Sequence, residues 1–148
     1  MRSVIQRVKD ASVRVEGAVT GSISRGLLVY LGVSQDDSEK DAEWLAEKIA
    51  NLRIFNDENG KMNLSLLDMA SGYGVLAVSQ FTLLAELAKG RRPFYGNAAD
   101  PEKAKRLYEY FMAKIKEQGL TCEAGIFQTM MEVSYTNEGP VTIILDSP

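Results

Sequence analysis

GLLVYLGV, residues 26–33, is a continuous apolar run punctuated by glycines. A short apolar run without alternation is typical of a strand that is covered on both faces. A second run of this kind, VLAVSQF at residues 75–81, carries Ser79 and Gln80 at its polar end. The two runs therefore predict two buried strands of one sheet.

Shorter segments that alternate apolar and polar residues, or are apolar throughout, predict the other strands. They are residues 13–15, 19–23, 131–135 and 141–145. The Glu16-Gly17 pair predicts a turn between the first two, and NEGP at residues 137–140 predicts a turn between the last two. We expect one face of residues 131–135 to be buried.

Between these strands the apolar spacing becomes helical from about Glu39 to Asn51. Ser38 and Asp41 stand in the positions of a capping box at the start of this helix. The change of period, with the cap in front of it, predicts the first of two main helices.

A second helix is predicted by its boundaries. Asp100 is a good N-cap, Pro101 suits the first helical position, and Gly119 suits the position just past the end. The pattern as a whole predicts an α/β protein: a small, largely antiparallel β-sheet or barrel with two main packed helices, forming a single domain over residues 1–148.

The composition excludes much familiar enzyme chemistry. The 148 residues include no histidine and one cysteine, with a formal net charge of −3. A Ser-His-Asp triad, a His-ligated zinc site, an iron–sulfur site and an intrachain disulfide are therefore impossible. No run is long enough to span a membrane and no signal region is present, so we expect a cytoplasmic protein with a buried Cys122.

The segment Ser79-Gln80-Phe81-Thr82 puts polar groups at the end of a buried strand. The backbone N–H groups of such a strand end could hold a developing oxyanion in a pocket. The polar groups could equally satisfy their own backbone at the edge of the sheet. Thr82 is a candidate nucleophile, although a threonine hydroxyl needs a base.

Lys89, Arg91 and Arg92 form the densest cationic stretch, with Phe94 close by. This loop could contact nucleic-acid phosphates, or it could be an ordinary solvated loop. The Gly139-Pro140 pair raises a similar choice between a simple turn and a cis peptide bond.

Together, these motifs resemble the D-aminoacyl-tRNA deacylase family, the D-Tyr-tRNA deacylases. Two signatures carry the resemblance: SQFTL at residues 79–83 and NEGPVT at residues 137–142. Each is weak alone, but their order and spacing in a chain of this length are specific. The resemblance extends along nearly the whole chain through residues 6–8, 11–13, 26–29, 45–49, 51–55 and 61–65.

The resemblance implies a homodimer that hydrolyses the ester between a D-amino acid and the terminal adenosine of tRNA, without a cofactor or a required metal. Glycyl-tRNA should also be accepted, and the neighbouring 2′-hydroxyl of the terminal ribose should assist. Gln80 and Thr82 are the implied catalytic residues. The implied substrate-binding residues are Ser79, Phe81, Phe127, Met131, Gly139 and Pro140, and the tRNA-binding residues are Lys89, Arg91 and Arg92.

In the family, a cis Gly-Pro element enters the partner subunit's pocket and offers two carbonyls to the amino group of the substrate. Gly139-Pro140 matches this element, which would reject an L side chain by placing main chain in its path. Two alternatives to this scheme stay open. One makes Thr82 a covalent nucleophile; the other is a dimeric RNA-binding module without turnover.

Two segments depart from the family pattern. FQTMM at residues 127–131 stands where members usually read Phe-Gly-Ala-x-Met, so Gln128 and Thr129 are bulkier than the usual residues. ELA at residues 86–88 replaces the usual acidic-Thr segment. The first departure bears on where the adenosine lies, and the second on how the basic loop is held.

Overall fold

The computed structural model describes residues 1–69, 71–88 and 90–148. Its strands are β1 (Arg2–Val15), β2 (Ala18–Ile23), β3 (Arg25–Gly32), β4 (Phe55–Asn56), β5 (Met62–Leu64), β6 (Tyr73–Ser79), β7 (Thr121–Ala124) and β8 (Glu132–Asp146). The α-helices are α1 (Glu39–Asn51) and α2 (Pro101–Glu117), and short 3₁₀ helices cover Leu66–Asp68 and Phe81–Leu84.

Six strands form one mixed sheet in the order β2-β1-β3-β6-β7, with β8 also paired to β1. β1 is antiparallel to β2, β3 and β8, whereas β3–β6 and β6–β7 are parallel. The sheet curls so far that β2 meets β7, where a Cβ on Gly21 would lie 2.3 Å from the Ala124 carbonyl oxygen. The curled sheet with two helices confirms the predicted fold class.

The sheet carries an apolar cluster on each face. One cluster packs α1 and α2 against alternate residues of β3 and β6, among them Leu27, Val29 and Val75. The intervening residues Leu28 and Leu76 belong to a second cluster on the opposite face, because successive strand residues point to opposite sides. The continuous apolar pattern of residues 26–33 follows from this double burial.

Both helices begin as the sequence predicts. Ser38 and Asp41 form a reciprocal capping box, in which the Ser38 N–H donates to Asp41 Oδ2 over 2.8 Å. The Asp100 side chain accepts from the Lys103 N–H over 3.0 Å at the start of α2, and Gly119 takes a φ of 83° after its end.

Cys122 is buried, which raises the pKa of its thiol to about 12.

The predicted turn at residues 137–140 is wrong. β8 continues through it as one strand, because β1 is long enough to pair with both halves. Val8 pairs with Asn137 and Gln6 with Thr142, so residues 138–141 bulge out opposite Arg7 alone. The Asn137 amide closes the bulge by donating to the Arg7 carbonyl over 3.1 Å and to the Val141 carbonyl over 3.0 Å.

Two strand predictions near the site also need correction. The run at residues 75–81 leaves the sheet after Ser79, and Phe81 begins a 3₁₀ helix instead of extending the strand. The apolar face of residues 131–135 is only partly covered, since Tyr135 is 38% exposed. This chain alone does not fully bury this part of β8.

Candidate functional site

A cavity of about 690 Å³ opens at the C-terminal end of β6. Its walls come from four parts of the chain: the end of β3, the end of β6, the start of α2 with the residues before it, and the segment that leads from β7 into β8. This volume is in the range of small-molecule sites. The site therefore forms where a central parallel strand stops and the chain turns aside.

The change from strand to 3₁₀ helix alters the backbone hydrogen bonding at Phe81, which lines the cavity, and at Thr82, which follows it. The Gln80 N–H still bonds to the Leu31 carbonyl over 2.9 Å, as a strand residue would. Among the described residues, the N–H groups of Phe81 and Thr82 donate to no protein acceptor. Unpaired N–H groups of this kind can stabilise negative charge that develops on an ester oxygen.

No side chain that lines the cavity in the described chain carries a formal charge, and Tyr30 is the one titratable group there. Burial, followed by the neighbouring Tyr135, raises the pKa of the Tyr30 hydroxyl to about 12. Tyr30 is therefore a neutral phenol at physiological pH. The described lining of the cavity thus supplies hydrogen-bonding groups but no side chain that titrates near neutrality.

The structure brings together five of the residues singled out in the sequence. Ser79, Gln80, Phe81, Phe127 and Met131 all line the cavity. They come from two segments that lie on either side of α2 in the sequence, and the fold brings them into one cavity.

Thr82 lies outside this group. Its side chain is exposed and does not line the cavity. Within the described chain its hydroxyl makes no hydrogen bond to a lysine or a carboxylate, so no base for it is in place. A nucleophilic role would need a group from elsewhere.

Gly139 and Pro140 lie on the β8 bulge and do not line the cavity. The bond between them is cis. Gly139 has a φ of 117°, and a Cβ there would lie 2.9 Å from Arg7 Nη2 and 2.9 Å from Val141 Cγ2. Both the backbone angle and the lack of space therefore require glycine at this position.

Arg7 packs against the bulge, and the sequence motifs do not identify it as part of this site. It is buried, its Nη1 donates to the Ile54 carbonyl, and its Nε lies 3.9 Å from Glu138 Oε2. An arginine in an alternating strand normally faces solvent. Arg7 differs because it lies opposite the Gly-Pro bulge of β8, which covers it. The long-range pairing of β1 with β8 creates that place.

The basic loop is held at its base. Glu86 and Phe94 exchange two backbone hydrogen bonds of 2.8 and 3.1 Å, and the Asn97 amide donates to the Glu86 carboxylate. Arg91 and Arg92 are exposed, and neither makes an ion pair with any described residue. Lys89 lies outside the described residues.

The cations that follow this loop are already engaged. Arg106 Nη1 lies 2.5 Å from Glu39 Oε1, and Lys105 Nζ lies 3.8 Å from Glu109 Oε1. Lys105 and Arg106 on α2 are therefore paired, whereas Arg91 and Arg92 of the basic loop are exposed.

Within residues 1–69, 71–88 and 90–148, no three side chains of the metal-binding types come together. Neither helix of the described chain has the length and apolar character needed to cross a bilayer.

Comparison with known proteins gives a consistent result. Residues 4–146 match the family model described as D-Tyr-tRNA(Tyr) deacylase. A D-aminoacyl-tRNA deacylase of Koribacter versatilis is 63% identical over 99% of this chain and 97% of its own length. One from Bacillus velezensis is 54% identical over 99% of each chain.

Solved structures agree with the fold. A protein titled c-Myc DNA Unwinding Element Binding Protein superposes with a TM-score of 0.91 at 41% identity, covering 100% of this chain and 99% of its own. A probable eukaryotic D-amino acid tRNA deacylase shares the fold with a TM-score of 0.83 at 17% identity, covering 98% of each chain.

Proposed function

The chain belongs to the D-Tyr-tRNA(Tyr) deacylase family, and from this premise we propose that it hydrolyses the ester between a D-amino acid and the terminal adenosine of tRNA. The unpaired N–H groups of Phe81, which lines the uncharged cavity, and of Thr82, the next residue along the chain, are the observation that supports this chemistry best. They can stabilise the oxyanion of the tetrahedral intermediate. Ser79, Phe127 and Met131 then hold the acyl end, while Gln80 fixes the strand end that supplies the donors.

Water attack on the ester needs assistance from outside the cavity side chains, because none of them is a base near neutrality. In this proposal the 2′-hydroxyl of the terminal ribose, next to the scissile ester, orients and activates the water. A group already attached to the substrate lies close to the reacting carbon at no further entropic cost. The scheme uses neither a cofactor nor a metal.

We assign the discrimination between D- and L-aminoacyl substrates to Gly139-Pro140 of a partner subunit. The bulge stands outside its own cavity, while Ile144 nearby on β8 is 68% exposed, so this edge has apolar surface for a second copy to cover. In the homodimer, the carbonyls of the bulge accept from the substrate ammonium and exclude an L side chain. Glycyl-tRNA, which has no side chain to exclude, is a further substrate.

The proposed location is the cytoplasm, because aminoacyl-tRNA is used there.

The purified full chain and D-tyrosyl-tRNA test this function. We expect free tyrosine and intact tRNA, at a rate proportional to protein concentration. Saturable tRNA binding without release of the amino acid would contradict the proposal and favour the non-catalytic RNA-binding module.

Thr82→Ala should keep at least about a third of the D-tyrosyl-tRNA hydrolysis rate. The Thr82 hydroxyl has no base within hydrogen-bonding distance in the described chain, so it is a poor nucleophile. Single-turnover hydrolysis measures this, with mass spectrometry of the quenched reaction to search for acyl-enzyme. A trapped ester on Thr82, or loss of activity in a folded variant, would support the covalent mechanism instead.

Replacing Arg91 and Arg92 together by alanine should weaken tRNA binding and make it less dependent on salt. Both side chains are exposed and without an ion-pair partner among the described residues, so both are available to phosphates. Each lost contact should lower the slope of log K against log salt by about 0.7–0.9. Lys105→Ala and Arg106→Ala, whose cations are paired on α2, serve as the matched control. A slope equal to that of the unmodified protein would make this loop an ordinary solvated loop.

A further inference from the structure

Gln128 adopts a backbone conformation that L residues avoid. In the described chain, only Glu16, with a φ of 50°, and Gln128, with a φ of 61°, are non-glycine residues with positive φ. Glu16 has a local reason, because it forms a two-residue hairpin turn with Gly17 between β1 and β2. Gln128 is the second central residue of the turn after β7, which is the glycine position of a type II turn.

Nothing local compensates Gln128 for this conformation. Thr129 Oγ1 closes the turn by donating to the Ile126 carbonyl over 2.9 Å, which does not require the Gln128 side chain. The Gln128 amide makes no hydrogen bond to any described residue, and the exposed side chain lines the cavity. A glycine would form the same turn at lower cost, and such outliers often belong to functional sites.

We infer that Gln128 is a specificity-determining residue whose side-chain amide reads the edge of the terminal adenine of tRNA. This inference rests on the proposed function, which brings the terminal adenosine into the cavity. The base is attached to the ribose that carries the ester, so an ester held at Phe81 places the base in the same cavity or at its rim. Gln80 and Gln128 both line the cavity with a side-chain amide that bonds to no described residue, and Gln128 is the exposed one, away from the strand end assigned to the ester.

The chemistry of the wall favours a neutral purine. Met130, Phe81 and Ala98 line the same cavity and offer apolar contact to the faces of a ring. A glutamine amide accepts from the adenine N6 amino group while it donates to an adjacent ring nitrogen, a two-point match between amide and adenine. A charged ligand would find no opposite charge among the described lining residues.

Binding of two non-hydrolysable analogues tests the inference. Both carry a D-amino acid joined to the ribose by an amide; one bears adenine, and the other bears purine, which lacks only the N6 amino group. The full chain should bind the adenine analogue about 10-fold more tightly, equivalent to about 1.4 kcal/mol. Gln128→Gly, which suits the backbone angle, and Gln128→Ala, which keeps an L side chain, should both bind the two analogues equally. Ile126→Ala, in the same turn but outside the cavity lining, should retain the preference.

Equal binding of the two analogues by the unmodified chain would overturn the inference. So would a preference for adenine that survives in Gln128→Gly, or failure to bind either analogue. The proposed function fails separately: an adenine preference that disappears in the Gln128 variants, without any hydrolysis of D-tyrosyl-tRNA, would contradict the reaction and keep the role of Gln128.

Discussion

Removal of the 2′-hydroxyl from the terminal adenosine of D-tyrosyl-tRNA should slow enzymatic hydrolysis by at least about 1,000-fold. The cavity contains no charged side chain among its described lining residues, and its phenol is neutral, so none of these residues replaces this hydroxyl. A loss of that size is about 4 kcal/mol of transition-state stabilisation. Oriented intramolecular groups supply terms of that magnitude.

The measurement compares single-turnover rates with the spontaneous hydrolysis of each tRNA, because the 2′-hydroxyl also affects the intrinsic reactivity of the ester. The quantity of interest is the acceleration over the spontaneous rate. A tRNA that lacks the 2′-hydroxyl at the penultimate nucleotide is the matched control and should react at the full rate. Equal acceleration with and without the terminal hydroxyl would remove substrate assistance from the mechanism.

Gly139→Ala should lower hydrolysis of D-tyrosyl-tRNA by about 100-fold, or about 2.7 kcal/mol. Gly139 has a φ of 117°, and an added Cβ would meet the Arg7 guanidinium and the Val141 side chain at 2.9 Å each. Arg7 is buried and held by the Ile54 carbonyl, so it cannot move aside freely. The bulge must shift instead, and its carbonyls lose their alignment with the substrate ammonium.

Gly60→Ala is the matched control for backbone strain. Gly60 also has a positive φ, of 75°, but a Cβ there would meet nothing within 4 Å, and it lies in the β4–β5 turn away from the cavity. This variant should keep full activity and lose only the thermal stability that the positive φ costs an alanine. If Gly139→Ala folds, dimerises and hydrolyses D-tyrosyl-tRNA like Gly60→Ala, the bulge has no part in the site.

The elements that could be predicted from the sequence are those set by local chemistry. α1 starts at the capping box of Ser38 and Asp41, and α2 is bounded by Asp100 and Gly119, because these residues satisfy helix ends by contacts within a few positions. The apolar run at residues 26–33 likewise indicates a strand buried on both faces, whatever its neighbours are.

The elements that could not be predicted depend on distant partners. The turn residues at 137–140 would start a hairpin in isolation, but β1 pairs on both sides of them and converts the turn into a bulge. The sequence alone suggests that Arg7 is a surface cation, but the bulge covers it in the structure. The free N–H groups of Phe81 and Thr82 arise because the chain leaves β6 two residues earlier than the apolar pattern suggests.

The candidate site was predictable to the extent that the family resemblance reached. Five cavity residues follow from its motifs, whereas Tyr30, on the buried strand β3, had no polar neighbour in sequence to mark it. Gln128 was visible as a departure from the usual glycine. Its left-handed φ and its place on the cavity wall required the structure.

Hydrolysis of matched D- and L-tyrosyl-tRNA by the purified full chain tests the central claim most directly. The two substrates share the tRNA, the ester and the side chain, so their rates differ only through the hand of the α-carbon. We expect the D-substrate to react at least about 100-fold faster, a difference of about 2.7 kcal/mol in transition-state binding. Similar rates for the two substrates, or hydrolysis of the L-substrate alone, would contradict the account.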